Sequence, residues 1–333
     1  MGLVKARGLT KVFRRPLKDP GLRGSLKHLV QRKFKEQMAV DGIDLDIEPG
    51  EAVAYVGPNG AGKSTTIKLL AGILVPTAGT VEVIGVRPHV DRMTNARNIG
   101  VLFGQRTQLW WDLPVRESLT LLRDMYKLSE PFYRKRIERL DGVLGLGELM
   151  PVLVRKLSLG QRMRADLAAA LLHQPKIVYL DEPTIGLDIS VKDKVREFLR
   201  DLRTDGTTLM LTTHDLGDIE DVCERIIIID EGRKIFDGPL ADMKDRFARV
   251  RRIHLQVASG YPQKIVEKLP GVEVSGELPE ITVTFDRFAY TAGRIISAVL
   301  EVAEIGEFHL EEPAIEDVVR KVYAGELLRD ATV

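Results

Sequence analysis

Gly57-Pro58-Asn59-Gly60-Ala61-Gly62-Lys63-Ser64-Thr65 is a glycine-rich run that ends on a lysine and two hydroxyl residues. The apolar run Ala52 to Val56 before it predicts a short buried strand, and Ile67-Lys68-Leu69-Leu70-Ala71 after it predicts a helix by its spacing. A triphosphate needs several converging backbone N–H donors and the positive end of a helix dipole, which a strand, a glycine-rich loop and a helix N-terminus supply in that order. Glycines at 57, 60 and 62 let the backbone wrap closely. Lys63 can reach the β- and γ-phosphates, and the Ser64 hydroxyl can ligate Mg²⁺.

Two further strand ends carry matching chemistry. Ile177 to Glu182 reads as a buried strand closing on two carboxylates, which are costly there unless they face a cation or water. Beside a phosphate loop, Asp181 can hold Mg²⁺, and Glu182, one residue beyond the strand, can orient or deprotonate an attacking water. Thr207 to His214 predicts another buried strand, with His214 placed for a γ-phosphate contact. Ile99 to Gln105 predicts a fourth, with Gln105 opening toward the same edge.

The rest of the chain frames these elements. Leu3 to Phe13 reads as a first strand, and Ile43, Leu45 and Ile47 alternate like a second. Between them, Leu22, Leu26, Leu29, Val30 and Phe34 fall at helical spacing against Arg23, Lys27, Arg32, Lys33 and Lys35. Such a basic amphipathic helix over residues 22 to 35 either lies on anionic lipid or packs on its own domain. Val115 to Tyr126, Pro131 to Leu144 and Gly147 to Lys156 read as an insertion of charged helices, and Arg162 to Leu172 as a strong helix. Trp110 and Trp111 cannot share one helical face, so at least one is expected to be partly exposed, as a contact surface or as the edge of a core pair. Ile226 to Ile229 pairs with Lys234 to Phe236 across Glu231-Gly232. Past residues 242 to 252, strands at Ile253 to Val257, Val272 to Val274, Ile281 to Phe285 and Ile305 to Leu310 alternate with helices at Gln263 to Leu269, Ala292 to Val302 and Ile315 to Val322, a small α+β domain.

Composition narrows the class. The 333 residues allow one large domain and a small one. With 49 Lys+Arg against 48 Asp+Glu, no global charge points to nucleic acid. The single cysteine, Cys223, excludes an internal disulfide and reads as a small buried apolar residue in a reducing compartment. No apolar run approaches the roughly 20 residues that cross a bilayer, and Met1 to Thr10 has no signal-peptide core, so the expected location is cytoplasmic, with any membrane link peripheral.

Gly57 to Thr65, Gln105, Leu157-Ser158-Leu159-Gly160-Gln161, Ile177 to Glu182, Gly186-Leu187-Asp188 and His214 stand in the order and at about the separations of an ATP-binding cassette (ABC) ATPase. The resemblance covers roughly residues 3 to 240. Within that family the chain looks like the ATPase subunits of bacterial ABC-2 type exporters, which end much like Glu312 to Val318. It implies an α/β fold, a P-loop NTPase cassette with a RecA-like mixed sheet, an antiparallel β subdomain and a helical subdomain, plus the small C-terminal α+β domain. The expected boundaries are residues 1–245 for the cassette, with the helical subdomain near 106–157 and the basic insertion at 14–37, and 246–333 for the accessory domain. Phe13 would stack on adenine. Gly57, Pro58, Asn59, Gly60, Ala61, Gly62, Lys63, Ser64 and Thr65 would hold the phosphates of ATP. Ser64, Gln105 and Asp181 would hold Mg²⁺, and Glu182, His214 and Gln105 would serve catalysis. Ser158, Gly160 and Gln161 would close over ATP held by a second copy, with Asp188 at the seam between copies.

The resemblance implies integral membrane permease subunits as partners, a second ATPase subunit, identical or paralogous, and a place on the cytoplasmic face of the cell membrane. A groove beside the loop after Gln105 would receive a short helix of the membrane subunit. The alternative is a soluble ABC-type ATPase acting on ribosomes or nucleic acid, but such proteins usually carry two cassettes or a long coiled coil, and this chain has neither. An Asn-Lys-x-Asp base-reading motif for GTP is absent. Leu159 departs from the usual signature glycine, and the 14–37 segment lengthens the connection after Phe13.

Overall fold

The computed structural model describes residues 2–16, 34–104, 106–247, 250–264 and 268–311. Two long strands open the chain, β1 (Val4–Pro16) and β2 (Phe34–Ile47), followed by β3 (Ala52–Val56), α1 (Lys63–Leu70) and β4 (Ala78–Val83). Then come α2 (Arg92–Asn98), β5 (Ile99–Phe103), α3 (Val115–Met125), α4 (Glu130–Leu144) and α5 (Leu159–Leu171). β6 (Ile177–Asp181), α6 (Ile189–Thr204), β7 (Thr208–Thr212), α7 (Leu216–Val222), β8 (Arg225–Asp230) and β9 (Arg233–Pro239) complete a first compact unit that runs to Gly238.

A six-stranded sheet runs β5-β6-β7-β3-β8-β9, with β5, β6, β7, β3 and β8 mutually parallel. Its strands carry continuous apolar runs because both faces are covered: every residue of β3 and of β7 is buried. β9 follows β8 through the turn Glu231-Gly232, both residues at positive φ (45° and 81°), as a two-residue hairpin requires. A separate antiparallel sheet, β2-β1-β4, packs its inner row of Leu9, Ile43, Leu45 and Ile47 into the core that also holds Tyr55, Ile67 and Leu70.

Three expectations change at the helices. Phe34 and Lys35 belong to β2, paired with Pro16 and Arg15 of β1, and not to a helix; residues 17–33 of the basic segment lie outside the described residues. Gly147 to Lys156 is turns with one 3-10 turn at Val154–Lys156, since Pro151 in its middle has no N–H to continue a helix. The strong helix starts earlier than its apolar run suggests, at Leu159, because Ser158 and Gln161 form a reciprocal capping box.

The second unit begins at Pro239 with α8 (Leu240–Phe247) and continues with β10 (Val250–Gly260), β11 (Glu273–Glu277), β12 (Glu280–Asp286), α9 (Ala292–Leu300) and β13 (Ala303–Glu311). Its antiparallel sheet runs β11-β12-β10-β13. Ile253, Leu255, Val257, Ile281, Val283 and Phe285 face Ile295 and Val299 of α9 in a core of their own. Of the helix expected over Gln263 to Leu269, the described residues show a 3-10 turn at Pro262–Lys264 and helical backbone at Lys268, with 265–267 outside the described residues, as is the helix expected over Ile315 to Val322.

Candidate active site

β6, β7 and β3 are neighbours and parallel, so their C-terminal ends fall at one edge of the sheet. That edge gathers Gly57 to Ser64 after β3, Asp181 and Glu182 after β6, and Thr212 to His214 after β7. The loop closes tightly against its neighbours: a Cβ at Gly57 would stand 2.1 Å from the Ile229 carbonyl oxygen, and one at Gly62 2.3 Å from that of Ala39. Gly62 also caps α1 at φ 104° with no side-chain cap and no acid in the first turn, which leaves that N-terminus electropositive. Gly62→Ala is therefore expected to lower stability by about 1–3 kcal/mol from backbone strain alone and to disturb phosphate binding, as a melt and a nucleotide titration would show.

The Lys63 ammonium lies over the loop, donating to the carbonyl oxygens of Gly57 (2.5 Å) and Pro58 (3.0 Å). Burial lowers its pKa, while the charges of Glu182 and Asp181 raise it. Ser64 Oγ donates to Asp181 Oδ2 at 3.0 Å, and the Thr212 hydroxyl donates to the other carboxylate oxygen. Ser64 and Asp181 thus present hard oxygen donors side by side. They fit Mg²⁺, which takes one or two protein oxygens and completes its octahedron with phosphate and water. Among the described residues no cluster of three His, Cys, Asp or Glu forms a self-sufficient metal site.

Glu182 leaves the strand at φ 58°, a left-handed conformation uncommon for a residue of its kind, and its N–H bonds the Thr212 carbonyl at 2.8 Å. Its Oε1 lies 3.0 Å from His214 Nδ1. Burial first, then the charge of Asp181, pushes the Glu182 carboxyl up to about 7; the His214 backbone and Lys63 oppose that rise. A half-buried carboxyl tuned toward neutral pH at a phosphate site is equipped to take a proton from water.

The sequence matches the family described as "ABC transporter" over residues 40–185. It is 37% identical over 209 residues to the "Nod factor export ATP-binding protein I" of Burkholderia pseudomallei, covering 63% of this chain and 68% of that protein. It is 34% identical over 213 residues to the "ABC transporter ATP-binding protein NatA" of Bacillus subtilis, covering 64% and 87%. The chain belongs to the ABC transporter ATP-binding family. Solved cassettes share the fold: an "ATP binding subunit of ABC transporter" superposes with a TM-score of 0.62 at 26% identity over 74% of this chain and 93% of its own. The cassette MJ0796, described in a dimeric post-hydrolysis state bound to ADP and Pi, gives 0.60 at 27% identity over 71% and 98%. The chain is accordingly an ABC ATPase that binds and hydrolyses ATP.

The remaining expected residues of this ABC ATPase form a second cluster. Ser158 caps α5, accepting from the Gln161 N–H at 3.3 Å, and a Cβ at Gly160 would lie 2.6 Å from the Gly186 carbonyl oxygen. Asp188 caps α6, accepting from the Val191 N–H and the Ser190 hydroxyl at 2.9 Å, bonds that hold its pKa below the usual carboxylate value. Leu159, at the position where the family usually has glycine, fills the space above Gly186: a Cβ there would lie 2.7 Å from Leu159 Cδ2. The bulk that sets this signature apart is thus turned onto the chain's own Gly186-Asp188 turn. Phe13 is half-buried on β1, opposite Gln37, with the Lys11 ammonium 5.5 Å from its ring centre. Gln105 lies outside the described residues. Thr212 is the residue that sequence reading missed; a threonine within a buried strand carries no signal until β6 and β7 are known to be neighbours.

Proposed function

We propose that the chain is the motor subunit of an ABC-2 type exporter, working as a dimer that encloses two ATP molecules between its copies and seated on integral membrane permease subunits. The observation that carries this reading is that the signature packs on the Gly186-Asp188 turn of its own chain, with Gly160 against the Gly186 carbonyl and Leu159 over Gly186. Lys63, Ser64, Asp181, Glu182 and His214 stand at one sheet edge, while Gly160, next to the Ser158–Gln161 capping box, packs against Gly186, two residues before Asp188. A two-fold pairing lets the second cluster of one copy complete the first cluster of the other. The dimeric form described for MJ0796 supports the pairing, and the export ATPases among the relatives support the direction of transport.

In this reading the loop N–H groups and Lys63 hold the β- and γ-phosphates, and Phe13 stacks on adenine. Ser64, Asp181 and Gln105 hold Mg²⁺, which neutralises phosphate charge when bound. Glu182 accepts the proton of the attacking water, and His214 holds Glu182 and contacts the γ-phosphate. The site works at the cytoplasmic face of the membrane, where permease subunits carry the cargo path. Among the described residues no helix is long and apolar enough to cross a membrane. Purification from membranes in mild detergent tests the assembly: a polytopic membrane protein should accompany the chain, and recovery of the chain alone would count against it.

Trp110 and Trp111 supply a docking surface for that partner. Both are exposed, 38% and 49%, while Leu109 beside them is buried. Arg162 of α5 lies 5.8 Å from the Trp111 ring, and Arg155 bridges Asp112 at 2.9 Å, so the segment is fastened to the α5 region that also carries the signature. Changing both tryptophans to Ala is expected to leave the melting temperature and ATP binding near those of the parent while weakening assembly with the permease by roughly 2 kcal/mol or more. A large drop in melting temperature would mean that they are core anchors instead.

A further inference from the structure

Asp218, on α7, is 1% exposed, and nothing in the reaction as described above uses it. A buried carboxylate of this kind is retained only where it is paired and hydrogen-bonded. Its Oδ2 accepts from the hydroxyls of Thr184 (2.6 Å) and Thr213 (2.9 Å), and its Oδ1 accepts from Arg196 Nε (2.8 Å). Thr184 stands two residues after Glu182, and Thr213 stands immediately before His214. One carboxylate therefore pins the backbone beyond β6 and the backbone beyond β7, the two segments whose side chains meet at the 3.0 Å Glu182–His214 contact. Arg196 continues the connection: its Nη2 reaches Asp215 Oδ1 at 2.8 Å, Lys192 holds the other oxygen of Asp215 at 2.6 Å, and the Asp215 N–H bonds Thr213 Oγ1 at 3.0 Å. Arg196 and Lys192 both ride on α6, the helix capped by Asp188.

We propose that Asp218, held by Arg196, is the positioning residue for the Glu182–His214 pair, and that it ties the placement of that pair to α6 and hence to Asp188. The proposal rests on the reading of Glu182 and His214 as the catalytic pair. Glu182 sits at a positive φ that the strand does not impose, so a fixed anchor on each side is what keeps its carboxylate aimed at His214. The phosphate loop instead closes against the backbone carbonyls of Ile229 and Ala39, which lie on other segments. Loss of Asp218 should therefore harm turnover and spare nucleotide binding.

The test is ATPase kinetics and ATP affinity of the full chain carrying Asp218→Asn, which keeps the shape and removes the charge. The expected result is a fall in kcat on the order of 10²-fold, as for an ångström-scale misplacement, with the Kd for ATP within about twofold of the parent. In single turnovers the same change should add less than about twofold to Glu182→Gln, because its effect passes through Glu182. Arg196→Lys, which keeps a cation, should fall between parent and Asp218→Asn. If Asp218→Asn does not fold, Thr184→Val with Thr213→Val removes the two hydroxyls, leaves the ion pair in place and should give the same loss of kcat. A folded variant with parental kcat, or one that loses affinity and turnover together, overturns the proposal. Parental turnover in Glu182→Gln itself would instead sink the catalytic reading beneath it.

Discussion

Glu182→Gln should bind ATP as the parent does and hydrolyse it at least two orders of magnitude more slowly, the usual cost of losing a positioned base. The substitution keeps the size of the side chain and its ability to bond His214 Nδ1, now at 3.0 Å from Oε1, so the strand ends need not move. What disappears is the basic oxygen. In the native chain burial and the neighbouring Asp181 raise this carboxyl to about 7, which makes its ionised form a better proton acceptor than an ordinary surface glutamate. An amide has no such function at any working pH. Single-turnover hydrolysis with prebound ATP measures the step directly, and a rate within tenfold of the parent would remove Glu182 from the role of base.

Lys63→Ala should act one stage earlier, on binding. The ammonium is held over the loop by the Gly57 and Pro58 carbonyls, with the Asp181 and Glu182 charges nearby. A γ-phosphate brought to the α1 N-terminus would meet a cation already poised there. Removing one or two charge-assisted contacts of roughly 1.5–3 kcal/mol each should weaken ATP binding by about 10-fold or more. A titration with ATP and Mg²⁺ that finds the parental affinity would contradict this account of the loop.

The contrast between these two residues and Asp218 shows what kind of information a single sequence carries. The phosphate loop was legible because its constraints are local: Gly57, Lys63 and Ser64 lie within eight positions, and the strand before them and the helix after them confirm the pattern. Asp181, Glu182 and His214 were legible as strand ends, since a polar residue that stops an apolar run marks where a sheet edge opens. Asp218 was not, because its partners Thr184, Thr213 and Arg196 stand on three other segments and meet it only when β6, β7 and α6 are packed. Phe34 and Gly147 to Lys156 misled for a related reason. Apolar residues three and four apart fit a helix, but a strand partner across β1 or a proline in the middle decides otherwise, and periodicity does not register either one. Leu159 gave only half its meaning: that it adds bulk to the signature could be read, whereas its direction, onto Gly186, is a property of the fold.

In the proposed dimer catalysis needs two copies of the chain, one supplying Lys63, Asp181 and Glu182 and the other supplying Ser158, Gly160 and Gln161. The mass of the purified Glu182→Gln chain, measured by light scattering during size exclusion with and without ATP and Mg²⁺, tests it most directly. The expected result is a monomer without nucleotide and a dimer with it, reverting when Ser158 is also changed to Arg, which sets a bulky side chain at the seam. A chain that demonstrably binds ATP and stays monomeric throughout would contradict it.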